Sequence, residues 1–230
     1  MPDRQPWKPV VLRLVNGRYE TASAAVAFGS PVRGESKEHA DIDLVVVGAI
    51  DGAPFREALV FEGWPLEVHV HTVESLWDEC SRDASARRAL LPYVFVNGEM
   101  LFDRDGKGGT LRSRLTSLLE SGPPPLTEQE RTVFRLRITD GISDLSDPRP
   151  LGEVLFSAAR LVHAMAELTL AAGESWVGQG KALHRNLEAL DAGIAERLAT
   201  AWAGVADDPG PLVTLADELL EPHGGRLFES

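Results

Sequence analysis

An α/β (α+β) domain with a mixed, partly antiparallel sheet, followed by an all-α helical bundle, is the fold that three observations predict. Glycine-stopped runs of β-branched residues crowd the first half of the chain. A stiff segment, Ser121-Gly122-Pro123-Pro124-Pro125, then interrupts it, and everything beyond has helical period. The domains are therefore expected at residues 1–120 and 126–230 of a 230-residue chain, with 43% hydrophobic residues to fill their cores.

Ala24–Phe28 runs into Gly29-Ser30, and Ile42–Val47 runs into Gly48, so each reads as a strand. Leu66-Glu67-Val68-His69-Val70-His71 alternates so regularly that Leu66, Val68 and Val70 share one face, while Glu67, His69 and His71 share the other. Between these strands Pro54 is expected to open a short helix that Gly63 closes. Thr72 reads as the N-cap of a helix with Val73, Leu76, Trp77 and Cys80 on its apolar stripe, running toward Pro92. Asn97-Gly98 reads as a tight turn between strands Val94–Val96 and Met100–Phe102, and Leu111, Leu115 and Leu118 mark the last helix of the domain.

In the second half, Thr127 and Glu130 have the spacing of a capping box ahead of a helix with Phe134, Ile138, Ile142 and Leu145 on one side. Helices over Gly152–Ala172, Lys181–Leu190, Ile194–Ala203 and Leu212–Leu220 complete a bundle. The most apolar of them carries Arg160, His163 and Glu167 and reads as a core helix, not a membrane span, with His163 expected inside.

A formal net charge of −12 repels nucleic acid and anionic membranes, and no basic patch offsets it. The lone Cys80 excludes an intramolecular disulfide and a multi-cysteine zinc site. The first residues lack the apolar core of a signal peptide, so a cytoplasmic location is expected.

Asp41 and Asp43 stand two apart on a strand and leave the same face. If the strand carrying Glu67 lies in the same sheet, three carboxylates converge. Two carboxylates ~4 Å apart repel by about 4 kcal/mol at an effective dielectric near 20. A cation relieves that, and an all-oxygen anionic set suits Mg²⁺ or Mn²⁺. The pair alone also reads as solvated residues at a strand start. Upstream, a Gly29-Ser30 turn leading into a helix would offer backbone N–H groups and a hydroxyl to a phosphate.

Gly29-Ser30-Pro31-Val32-Arg33-Gly34, Asp41-Ile42-Asp43-Leu44 and Leu66-Glu67-Val68 together resemble the nucleotidyltransferase signature of the DNA polymerase β superfamily. Gly63-Trp64 ahead of the third carboxylate resembles the kanamycin branch, small bacterial enzymes with a helical C-terminal domain. The resemblance covers about the first half of the chain. It implies that Asp41, Asp43 and Glu67 hold Mg²⁺ and that Ser30 and the Gly29 backbone grip the phosphates of a nucleoside triphosphate such as ATP. A nucleoside monophosphate would then pass to a small hydroxylated, aminoglycoside-like acceptor lying between the domains.

Arg33 and Lys37 would neutralise triphosphate charge, although both also read as solvated loop cations. Lys181 would reach the phosphates from the helical domain, and Asp144, with Asp140 beside it, stands where that branch carries a general base. His69 and His71 invite a zinc site, but without cysteine or a third patterned histidine they read first as cleft-floor residues. The alternative function is an antitoxin-like or regulatory nucleotidyltransferase fold that modifies or binds a protein. A homodimer is compatible with either.

Overall fold

The computed structural model describes residues 5–35 and 40–228, and the chain divides into two compact units, residues 1–121 and 122–230. The first unit begins with α1 (Trp7–Arg18), then β1 (Ala22–Phe28), β2 (Ile42–Gly48), β3 (Phe55–Phe61) and β4 (Trp64–His71). It continues through α2 (Val73–Ser85), α3 (Leu90–Asn97), β5 (Glu99–Asp103) and α4 (Lys107–Glu120). The sheet order is β3-β4-β2-β1-β5, with β2 and β4 parallel and the other pairs antiparallel, so the sheet is mixed as expected.

Strand alternation sorts the unit into two cores. Ile42, Leu44 and Val46 join Leu66, Val68 and Val70 against Val11, Leu14 and Val15 of α1. On the other face Val26, Val45 and Val47 meet Leu76 and Cys80 of α2, Leu91 and Phe95 of α3, and Leu111 and Leu115 of α4. The stripe of α1, Val11, Leu14 and Val15, has helical spacing in the sequence.

Two expected elements change type. Residues 55–61 form strand β3 and not a helix: Glu62 (φ 45°) and Gly63 (φ 85°) make a two-residue turn that folds Phe55–Phe61 back on β4, pairing Phe61 with Trp64. Positive φ at both turn residues matches the twist of a hairpin, and the ladder with β4 outweighs local helical period. Val94–Val96 lie in helix α3 and not in a strand, with Gly98 at its C-cap. Gly98 ends that helix against β1, where an added Cβ would lie 2.4 Å from Val26 Cγ1 and 2.8 Å from the Ala27 carbonyl oxygen. Helix α2 starts at the Thr72 capping box as read, but stops at Ser85, well before Pro92.

The second unit comprises α5 (Glu128–Ser146), α6 (Leu151–Ala172), α7 (Lys181–Leu190), α8 (Ala192–Ala203) and α9 (Gly210–Leu220), with a short 3₁₀ turn at 221–223. Its core joins Ile138, Ile142, Leu161, Met165, Leu187, Leu198 and Leu215. The Thr127–Glu130 capping box forms as the spacing predicts. Helix α6 has the length and hydropathy of a membrane span, and half of its most apolar window is buried inside the unit. His163 is exposed on α6, not in the core, and lines a groove of about 360 Å³ with His184 and Trp202.

Candidate functional site

Parallel pairing of β2 with β4 places Asp43 opposite Glu67, Val45 opposite His69 and Val47 opposite His71. Paired residues on neighbouring strands point to the same face ~4.8 Å apart, so Asp43 and Glu67 are adjacent carboxylates, both partly buried. Asp41, two residues before Asp43, is exposed and lines a groove of about 470 Å³ with Ala58, Leu59, Val60, Pro65, Leu66 and Glu67. Hard oxygen donors from two strands and the residue ahead of one of them are the donor set that a Mg²⁺-class cation takes.

Glu67 has a charge partner already. Arg56 of β3 forms an ion pair with its Oε1, and His69 Nε2 lies 3.7 Å from the same oxygen. The Arg56 side chain is 64% exposed and that of Glu67 27%, so the guanidinium reaches in from the strand edge.

The Gly29-Ser30 segment closes the site from β1, since Phe28 pairs with Asp43. Gly29 has φ +121°, and a Cβ there would sit 2.8 Å from the Asp41 carbonyl oxygen, so only glycine lets the turn pack against Asp41. The segment then forms a turn, with Arg33 N–H donating to the Gly29 carbonyl (3.3 Å) and Glu35 N–H to that of Ser30 (2.9 Å). The helix expected after Gly29-Ser30 does not appear in residues 30–35. Arg33 lies 5.2 Å over the Phe28 ring and donates to Glu35 (2.9 Å). The Glu35 hydrogen bond, with a smaller contribution from Asp43, raises its pKa. Lys37 lies outside the described residues.

Asp144 and Lys181 belong to the second unit. Asp144 accepts from Ser157 (3.4 Å) and pairs with Arg149 (3.2 Å), while Asp140 is exposed on the same helix. Lys181 is exposed at the first position of α7.

Farther along β4, burial lowers the pKa of both His69 and His71, and Arg56 adds to the effect at His69. Arg56 and Glu79, which face these histidines, were not singled out by sequence reasoning. Arg56 was hidden by the helix expected over β3, and Glu79 by its distance along the chain.

No protein-family model matches the chain, and no curated protein does. Among solved structures, the chain is similar to the crystal structure of a nucleotidyltransferase-like protein from Exiguobacterium sibiricum, with 12% identity and a TM-score of 0.45 over 94% of this chain and 75% of that one.

Proposed function

We propose that the chain is a divalent-metal-dependent nucleotidyltransferase that moves a nucleoside monophosphate from a nucleoside triphosphate, with ATP the expected donor, to a hydroxyl of a small acceptor. The observation that carries this reading is the pairing of Asp43 with Glu67 on adjacent parallel strands, with Asp41 on the residue that leads into the same face.

Asp41, Asp43 and Glu67 would hold Mg²⁺ or Mn²⁺, and these residues fit such an ion because all offer carboxylate oxygens beside an open groove. Bound metal supplies electrostatic stabilisation to the entering and leaving oxygens of an in-line displacement at the α-phosphorus. The chain's own residues do the rest. The Ser30 hydroxyl and the Gly29 turn hold the β- and γ-phosphates, and Arg33, with Lys37, offsets their charge. Asp43 and Glu67, side by side on β2 and β4, would set the edge of the groove at which the acceptor hydroxyl is oriented.

A polycationic acceptor of the aminoglycoside type suits a protein of net charge −12. Calorimetric titration with a non-hydrolysable ATP analogue is expected to show binding that requires Mg²⁺ and is lost in the Asp41→Asn/Asp43→Asn double variant. Absence of Mg²⁺-dependent binding in the wild type would overturn the reading. Transfer of label from ATP then separates a small-molecule acceptor from a protein one.

A further inference from the structure

A second group of ligand-bearing side chains sits where β4 meets α2. His69, His71 and Glu79 each present a nitrogen or oxygen atom, and these atoms all lie within 4.8 Å of one another. The two imidazoles leave the same face of β4, nearly parallel at 9° with ring centroids 6.5 Å apart. Thr72 ends the strand and caps α2, so the chain turns back at once over the strand it has left. Leu76 and Cys80 are buried toward Val45 and Val47, and Glu79, between them on the helix, is carried to the edge of that contact. Its Oε2 stands 3.8 Å from His71 Nε2, too far for a hydrogen bond and suited to a shared ion.

The capping box also sets the histidine. Ser75 Oγ accepts from Thr72 N–H (2.9 Å), lies 3.3 Å from the Thr72 carbonyl to which it donates, and is 3.2 Å from His71 Nδ1. The same hydroxyl is thus in hydrogen-bond contact with a ring nitrogen of His71. That contact holds the ring with Nε2 on the side of Glu79. A histidine oriented through its other nitrogen is the arrangement that metal-bound imidazoles use.

We propose that His69, His71 and Glu79 form a site for a borderline transition-metal ion of the Zn²⁺ class that clamps β4 to α2, beside the hard-cation carboxylates but using none of them as a ligand. Two imidazoles and one carboxylate favour Zn²⁺ or Co²⁺ over Mg²⁺. Three protein ligands leave a fourth position for water, which the partly exposed Glu79 side chain admits.

The test is titration of chelator-treated, full-length protein with Zn²⁺ against a chromophoric chelator, with Co²⁺ absorption as a report on geometry. One Zn²⁺ per chain and a tetrahedral Co²⁺ spectrum are expected. Glu79→Gln and His71→Gln should each weaken Zn²⁺ binding by about a hundredfold or more. Should His71→Gln fail to fold, Glu79→Gln carries the test, because that side chain is 39% exposed. The Asp41→Asn/Asp43→Asn variant should bind Zn²⁺ as the wild type does, which keeps this outcome independent of triphosphate binding. No stoichiometric Zn²⁺ binding, unchanged affinity in Glu79→Gln, or loss of binding in the aspartate variant would each overturn the site.

Discussion

On the face of the sheet toward α1, Ile42, Leu44 and Val46 of β2 lie beside Leu66, Val68 and Val70 of β4, none more than 2% exposed. On the opposite face the same two strands set Asp43 beside Glu67, Val45 beside His69 and Val47 beside His71. The difference is one residue in phase. Over β2 and β4 the first face is apolar, and an unpaired charge there would cost several kcal/mol. The second is covered by α2, α3 and α4 over Val26, Val45 and Val47, while Asp43, Glu67 and His69 remain partly open. Polar side chains collect where the covering layer runs out, because a carboxylate keeps its charge there.

Neighbouring residues break this comparison most directly. Asp43→Asn should lower nucleotidyl transfer about a thousandfold or more, a loss in the range of a removed transition-state contact. Its urea midpoint should stay at or above that of the wild type, since one of two adjacent like charges is gone. Leu44→Ala, one residue along and fully buried, should instead cost about 2–5 kcal/mol in urea unfolding. A variant at Asp43 that unfolds, or one at Leu44 that does not lose stability, would erase the distinction between the faces.

Smaller effects sharpen it. Gly29→Ala puts a Cβ 2.8 Å from the Asp41 carbonyl at φ +121°. Thermal and urea unfolding should register a cost of about 1–3 kcal/mol, with weaker triphosphate binding. Arg56→Ala removes the cation that occupies Glu67, an exposed pair worth less than ~1 kcal/mol, so Mg²⁺ affinity measured by calorimetry should rise about two- to fivefold. An affinity that falls instead would make Arg56 a partner of the substrate and not a competitor of the metal.

Much of the candidate site is legible along the chain. Asp41, Asp43, Glu67 and the Gly29-Ser30 turn stand out because strand period and glycine punctuation are local properties, carried by residues two to four apart. The same holds for the capping boxes at Thr72 and Thr127 and for the Lys181–Leu190 helix. What eluded the sequence depends on distant partners. Residues 55–61 are a strand because β4 offers a ladder to pair with, and Val94–Val96 are helical because α3 packs its apolar side against β1.

The chain by itself determined which side chains share a face, since alternation in a strand and the turn of a helix need no partner. Only tertiary structure decided which faces meet. Asp43 lies next to Glu67 because β2 and β4 pair in parallel at that register, and Glu79 reaches His69 and His71 because α2 folds back over β4. Register and helix docking are fixed by burying Val45, Val47, Leu76 and Cys80 together, a contact between residues some thirty positions apart that local period does not record.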